Sequence, residues 1–217
     1  MGLIEITRHL YPDEIALLKK NKAKAQKDLK QKVKIHYVII AILLGIGLSY
    51  LVPVFHSKFW AFIFGTLAIL CFAFAVLGPY EYYKDLKKLK SRIREIDNFL
   101  DSNQLKTIPV EALRIAIAKE YEDEGDLIII EYQTNNILFL WDYDYNLGKK
   151  FPCLKFEIYN DTFFRLVEKQ VCALSEKVPP IYIDKKLKWA YMKKYGCPGH
   201  LTTEQINLDD LMDKFYA

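Results

Sequence analysis

The chain has 217 residues, of which 52% are hydrophobic and 14% aromatic, and 31 Lys and Arg residues against 27 Asp and Glu give it a formal net charge of +4. This composition excludes an intrinsically disordered protein, which would be poor in aliphatic and aromatic residues. The charge is unevenly spread, because Lys58 and Glu81 are the only Asp, Glu, Lys or Arg residues between Lys34 and Lys84. One part of the chain is therefore suited to a different environment from the rest.

The first predicted element is a cytosolic basic helix within residues 1–34. Pro12 followed by Asp13 and Glu14 is typical of a helix start, and no helix breaker follows before Lys34. The helix is therefore predicted to continue into the apolar segment that follows. Its apolar face is narrow and is interrupted by a lysine: Leu18, Lys22, Ala25, Leu29 and Val33. Such a face needs a partner helix.

A two-helix transmembrane hairpin is predicted over residues 35–79, with spans at 35–55 and 59–77. A helix of about 20 residues is about 30 Å long, which matches the hydrocarbon core of a bilayer. Only His56, Ser57 and Lys58 join the spans, so the turn is tight. Basic residues flank the outer ends, and the positive-inside rule therefore predicts that both termini are cytosolic. We expect an integral protein of the bacterial inner membrane.

The spans contain small residues four positions apart: Gly45 with Ser49, and Ala61 with Gly65. Such pairs are typical of places where membrane helices approach closely. They predict packing of the hairpin on itself or on another copy of the chain. The spans lack Asp, Glu, Lys and Arg, which argues against a proton relay or an ion-coupled transporter.

Residues 80–106 are predicted to form a second cytosolic helix and a linker. Apolar residues recur there at alternating steps of three and four, as in a coiled-coil seam: Leu86, Leu89, Ile93, Ile96 and Leu100. The two cytosolic helices are attached to the two ends of one hairpin. They are therefore expected to pair as an antiparallel coiled coil, with the linker at 101–110.

A cytosolic α+β domain with a small antiparallel sheet is predicted at 107–217. Residues 127–132 and 137–143 are rich in β-branched and aromatic residues and are separated by a short Asn-containing turn, which predicts a β-hairpin. The apolar run from Leu127 to Ile130 predicts a central strand buried on both faces, whereas the second strand is expected to be half-exposed toward Asp142.

Further strands are predicted at 155–159, 164–174 and 181–183, and helices at 110–119, 185–195 and 208–216. The segment 110–119 alternates like a strand, but its Ala and Glu content and Pro109 favour a helix. Asn207 is a candidate cap for the last helix. Either the helix at 110–119 or that at 185–195 is expected to cover the hairpin.

Four carboxylates cluster just before the first strand of the hairpin: Glu122, Asp123, Glu124 and Asp126. A metal or acid/base site needs groups that converge from different elements or from alternate loop positions. These residues instead surround Gly125, which favours a solvated acidic turn with side chains that point outward. The turn could instead be a docking surface for a basic partner or for the Lys-rich helix of the same chain. Cys197 and His200 have the spacing of half a metal site without a second half. No metal or other cofactor is predicted.

No set of residues specifies a reaction, so the favoured hypothesis is a membrane-tethered interaction or sensing module without catalysis. In its layout alone, the chain resembles bacterial two-span effector proteins of the SLATT type. That resemblance implies the alternative, a membrane part that oligomerises and perturbs the bilayer. A third hypothesis is a metal-dependent enzyme that uses the acidic turn. The expected partners are the lipid bilayer and a protein partner or second copy, whereas nucleic acid is not expected.

Overall fold

The structure, a computed structural model, describes residues 3–30, 35–54, 58–143 and 147–216. It has two compact units, one formed by Met1–Glu14 with Asn103–Ala217 and the other by Ile15–Ser102. The helices are α1 (Pro12–Leu29), α2 (Ile35–Val54), α3 (Lys58–Ser102), α4 (Asp161–Val167), α5 (Lys185–Tyr195) and α6 (Leu208–Tyr216). The strands are β1 (Ile6–His9), β2 (Gln104–Glu111), β3 (Arg114–Ala118), β4 (Asp126–Gln133), β5 (Asn136–Asp142), β6 (Lys155–Tyr159), β7 (Val171–Ala173), β8 (Ile181–Ile183) and β9 (Thr203–Glu204).

The helical unit contains both predicted spans, since α2 and α3 are each long and apolar enough to cross a membrane. α3 has 45 residues and continues through Pro79, so the second span and the heptad segment lie on one helix. The linker predicted at 101–110 is wrong, because Ser102 ends α3 and β2 begins at Gln104. Residues 31–34 and 55–57, which carry the predicted helix continuation and hairpin turn, lie outside the described residues.

The predicted seam occupies the least exposed face of the second part of α3. Ile96 is fully buried, and the other four seam residues are half-buried. On α1, Leu18 and Ala25 are buried, and the Lys22 ammonium lies 2.5 Å from a carboxylate oxygen of Asp97 on α3. The lysine that interrupts the apolar face of α1 therefore links the two helices. A coiled coil between them stays a prediction.

The other unit contains two β-sheets. β1, β2, β6 and β7 form an antiparallel sheet in the order β1-β2-β6-β7, and the second sheet has the order β8-β3-β4-β5-β9. The second sheet is antiparallel except for the parallel pair of β3 and β8. The small antiparallel sheet predicted from sequence is thus two sheets, one of them mixed.

The predicted β-hairpin is confirmed as β4 and β5, with Ile129 opposite Phe139. β4 is central and buried on both faces, as predicted: Ile128 and Ile130 face a core shared with the four-stranded sheet, and Leu127 and Ile129 face a core covered by α5 and α6. α5 therefore supplies the cover. Asp142 is buried rather than half-exposed, because it lies opposite Asp126 of β4 and directly follows Trp141, to which the loop before β9 is hydrogen-bonded.

The helix predicted at 110–119 is wrong. Val110 lies near the end of β2, and Arg114–Ala118 form β3, which pairs with both β4 and β8. Ile115 and Ile117 face one core whereas Ala116 and Ala118 face the other, so the alternation reflects a strand buried on both sides. Packing between two neighbouring strands outweighs the modest helix preference of the alanines.

The strand predicted at 164–174 is wrong for most of its length, because α4 takes up Asp161–Val167 and only Val171–Ala173 form β7. The side chain of Asn160 accepts the N–H of Phe163 and caps the helix. Phe163, Leu166 and Val167 are buried at spacings of three and four. Both signals are those of a short amphipathic helix.

The N-terminal strand β1 has no counterpart in the predicted basic helix. It pairs antiparallel with β2, so that Ile6 lies opposite Thr107, and the first 14 residues thereby belong to the sheet-containing unit. β2 also begins three residues before the boundary predicted at Thr107. A four-residue strand whose one hydrophobic residue, Ile6, is its first carries too weak a period for sequence recognition.

Candidate functional site

Two of the four predicted turn carboxylates, Glu124 and Asp126, point inward. The Glu124 carboxylate accepts the ammonium of Lys188 at 2.9 Å and the backbone N–H groups of Tyr121 and Glu122 at 3.0 and 2.7 Å. These donors come from α5 and from the turn itself. The carboxylate therefore fastens the turn to the helix that covers the sheet.

Asp126 is buried at the start of β4. It accepts the Lys119 ammonium at 2.6 Å and the backbone N–H of Glu120 at 2.9 Å, which closes the loop between β3 and β4. Glu122 and Asp123 are exposed, as the outward interpretation expected. Among the described residues, no three His, Cys, Asp or Glu side chains are grouped so that they could hold a metal ion.

Lys188 is the one fully buried lysine among the described residues, with 0% exposure. Its ammonium donates to the carbonyl of Gly125 at 2.9 Å as well as to Glu124, and it lies 5.5 Å from the centre of the Trp141 ring. A buried ammonium needs such partners because its desolvation is costly. The acidic turn and α5 therefore stabilise each other.

We expect Glu124 to make the stability of this unit depend on pH in the acid range. Burial alone would raise the pKa of Glu124, but Lys188 and the surrounding N–H groups outweigh it and lower the pKa to about 2. The unfolded chain, with the ordinary value of 4.5, takes up a proton first as the pH falls. The stabilisation is therefore complete above pH 4.5 and is lost between there and pH 2. Over this pH window, the free energy of unfolding measured with denaturant should fall less for the Glu124→Gln chain than for the unaltered chain.

The matched control is Glu122→Gln, which alters an exposed carboxylate of the same turn. It should keep the acid sensitivity of the unaltered chain. Equal pH profiles for the Glu124→Gln and Glu122→Gln chains would show that the Lys188 ion pair contributes nothing to acid stability.

A buried ionic network lies on the outer face of the four-stranded sheet and consists of Arg8, Glu14 and Glu157. The Arg8 guanidinium is 2.6 Å from Glu14 and 2.5 Å from Glu157, and the three side chains are only 12%, 5% and 5% exposed. One cation thus lies between two buried carboxylates that come from α1 and β6. We call these three residues the buried ionic network.

Tyrosines complete this network. The Tyr159 hydroxyl donates to Glu14 at 2.6 Å, and Tyr11 donates its backbone N–H to Glu14 and its hydroxyl to Glu157, at 2.7 and 3.2 Å. The Arg8 guanidinium also lies 3.7 Å from the centre of the Tyr11 ring. Burial would raise the pKa of Glu14, but the hydrogen bonds from Arg8, Tyr159 and the Tyr11 N–H outweigh this effect and lower the pKa. The Glu14 carboxylate is thereby held as an anion although it is buried.

The buried ionic network fixes the first turn of α1 to the sheet. Arg8 is on β1, Glu157 is on β6 and Glu14 is the last residue that belongs to the sheet-containing unit. The chain then enters the helical unit. Sequence reasoning missed these residues because Arg8 and Glu157 are 149 positions apart. Locally, Glu157 lies at an alternate position of the strand KFEIY, which predicts a solvent-facing residue rather than a buried one.

The loop at 196–200, with the sequence GCPGH, lies along the open edge of β5. His200 Nδ1 accepts the backbone N–H of Trp141 at 3.1 Å, and the Trp141 indole donates to the carbonyl of Pro198 at 2.8 Å. Gln170 donates to the Trp141 carbonyl at 3.1 Å. Desolvation lowers the pKa of His200, against the opposing charge of Asp161. In this arrangement Cys197 and His200 belong to a structural loop, and Nδ1 is already used.

The small residues of the predicted spans have different surroundings. The position of a Cβ on Gly45 lies 3.0 Å from the Phe72 ring of α3, so Gly45 allows α2 and α3 to approach each other. The Ser49 hydroxyl donates to the Gly45 carbonyl within α2 at 2.8 Å. Ala61 is half-buried, and among the described residues no atom lies within 4 Å of a Cβ on Gly65. Of the four residues, only Gly45 is shown in a close helix–helix contact.

We expect Gly45→Leu to destabilise the packing of α2 on α3 by about 1–3 kcal/mol, because the added side chain must displace Phe72. Gly47→Leu is the matched control, since no atom lies within 4 Å of its Cβ position and its effect should stay within about 0.5 kcal/mol. Thermal unfolding in detergent, followed by helical circular dichroism, would measure both. Equal effects would contradict the close approach at Gly45.

The chain matches no protein-family model, and comparison with characterised proteins and with solved structures finds no match to it.

Proposed function

We propose that α2 and the first part of α3 anchor the protein in a membrane, and that the sheet-containing unit is a cytosolic, non-catalytic interaction or sensing module. The observation that carries this proposal is the outward exposure of large apolar side chains on both helices. Leu43, Phe62 and Ile69 are 64%, 74% and 69% exposed. In the most apolar 18-residue stretch of each helix, only 11% is buried in α2 and 6% in α3. In water such a continuous apolar surface would be unfavourable, whereas lipid chains solvate it.

Aromatic residues support the same proposal because they bracket the apolar part of α3. Trp60 and Tyr80 lie 20 residues apart, which corresponds to about 30 Å of helix and to the thickness of the hydrocarbon core. Both rings are exposed, as is Tyr37 at the start of α2. Trp and Tyr favour the membrane–water interface on both sides of a bilayer.

The distribution of charge supports a cytosolic position of the sheet-containing unit. Apart from Lys58 between the spans, the Lys and Arg residues lie before α2 or after Tyr83, at the ends of the spans that share one side of the membrane if both cross it. The positive-inside rule then places this side in the cytosol. The buried ionic network and the Glu124–Lys188 ion pair are both held by contacts within the fold of this unit. This favours a binding role of the unit over a catalytic one.

Cysteine labelling in intact cells would test this topology. In a chain whose four cysteines are replaced by alanine, Lys58→Cys and Asp213→Cys each introduce one exposed thiol. A membrane-impermeant maleimide should label position 58 in intact cells and position 213 only after lysis. Labelling of position 213 in intact cells, or release of the unlabelled protein by alkaline carbonate, would contradict the proposal.

A further inference from the structure

A basic groove of about 500 Å³ lies at the edge of the four-stranded sheet, beside β7. One wall is formed by Lys149 and Lys150, and the other by the segment 173–177, which follows from the end of β7. Three lysines line it against one carboxylate, Glu176. The groove is distinct from the buried ionic network and from the acidic turn.

Hydrogen bonds fix the wall formed by 173–177 to the chain that follows Lys150. Leu174 donates its N–H to the carbonyl of Lys155 at 2.9 Å, Lys155 donates its own N–H to the Ser175 hydroxyl at 3.0 Å, and Val178 donates to the Pro152 carbonyl at 2.9 Å. A ligand would therefore meet a preformed wall on this side rather than one that it must order.

The lysines of the groove differ from several other cations of the sheet-containing unit in their partners. Arg8, Arg114, Lys119, Lys155 and Lys188 each have a carboxylate within 4 Å. Lys149, Lys150 and Lys177 are exposed, and the described part of the chain gives none of them such a partner. Like charges around one concavity raise the local potential and attract anions.

We propose that this groove binds a phosphate-bearing ligand. Lysine ammonium groups bind phosphate as point charges, and three of them around one concavity match a group with more than one negative charge. Leu174 is 48% exposed in the same groove and offers contact to a less polar part of the ligand. Two sources share this chemistry, a free nucleotide or pyrophosphate and a phosphorylated lipid headgroup. The proposal goes beyond membrane anchoring and does not depend on it.

The test is calorimetric titration of the full chain in a non-ionic detergent with ATP, pyrophosphate and short-chain phosphatidic acid, at constant ionic strength. We expect saturable binding of at least one probe. The variant K149Q/K150Q/K177Q should raise its Kd by about tenfold, because three exposed charge interactions are removed. The matched control, K185Q/K186Q/K193Q, removes the same charge from exposed lysines of α5 and should change the Kd by less than about twofold.

The outcomes separate the sources and the alternatives. Binding of ATP or pyrophosphate that is lost in the groove variant assigns the site to a free phosphate ligand, and binding of phosphatidic acid alone assigns it to a headgroup. Equal weakening in both triple variants would show unspecific attraction and overturn the proposal, as would the lack of saturation with all three probes. Unchanged circular dichroism and melting temperature would show that the groove variant is folded.

Discussion

Replacing Arg8 by methionine should destabilise the sheet-containing unit by about 3–5 kcal/mol, the usual result when one partner of a buried ion pair is removed. The methionine side chain fills similar space but leaves Glu14 and Glu157 without their shared cation, although each carboxylate is only 5% exposed. Tyr159 and Tyr11 still donate to them, but neutral donors compensate a buried charge only in part. Urea denaturation in detergent, followed by tryptophan fluorescence, would measure the loss.

An exposed ion pair on the same sheet provides the control. Lys155 lies on β6, two residues before Glu157, and its ammonium is 3.0 Å from Glu111, but the two side chains are 61% and 76% exposed. Lys155→Met should therefore change the free energy of unfolding by no more than about 0.5 kcal/mol. A loss for Arg8→Met as small as that for Lys155→Met would contradict a stabilising role of the buried ionic network.

A second variant shows whether buried charge is the cause. In the Arg8→Met background, Glu14→Gln together with Glu157→Gln removes both carboxylate charges and keeps similar side-chain shapes. We expect this triple variant to recover a large part of the lost stability, because neutral amides are less costly to bury than unpaired anions. No recovery would indicate that Arg8 stabilises the sheet through packing, for example against the Tyr11 ring.

The elements that sequence reasoning predicted correctly are those whose signals are local. The hairpin of β4 and β5 carries β-branched strands and an Asn-containing turn, α5 follows the capping side chain of Asp184, and α6 follows Asn207, which accepts the N–H of Asp210. In contrast, residues 110–119 and 164–174 have mixed local preferences. For 110–119 the structure is decided by neighbours that the sequence does not show, since β3 lies between β4 and β8. For 164–174 the local signals of α4, its cap Asn160 and its helical spacing of buried residues, were missed.

The candidate sites were harder to predict because they depend on residues far apart in the chain. The acidic turn was recognised from the sequence. The inward direction of Glu124, however, depends on Lys188, which is one of five lysines on α5. The buried ionic network likewise joins β1, α1 and β6. Hydrophobic periods locate the faces of strands, but they do not tell a solvated glutamate from one covered by another element.

Within the acidic turn, Gly125→Ala should destabilise the unit by about 2–5 kcal/mol, because it combines backbone strain with overpacking. Gly125 has a φ of +81°, and an added Cβ would lie 2.9 Å from the Asp142 carbonyl oxygen and 3.1 Å from Tyr143 Cα. Both atoms belong to the backbone and cannot rotate away. The turn must therefore shift, and the shift also moves the Gly125 carbonyl that accepts the Lys188 ammonium.

Gly148→Ala separates the two contributions. Gly148 has a similar φ of +84°, but no atom of the described residues lies within 4 Å of its Cβ position, so the substitution should cost only the strain of about 1–2 kcal/mol. The difference between the two variants in urea denaturation then measures the close approach of the acidic turn to β5. Because the Lys188 contacts lie on that turn, Gly125→Ala should also reduce the acid sensitivity that Glu124 confers, whereas Gly148→Ala should leave it unchanged. Equal losses of stability in the two variants would mean that the end of β5 yields to the added methyl group and that the acidic turn is not held rigidly against it.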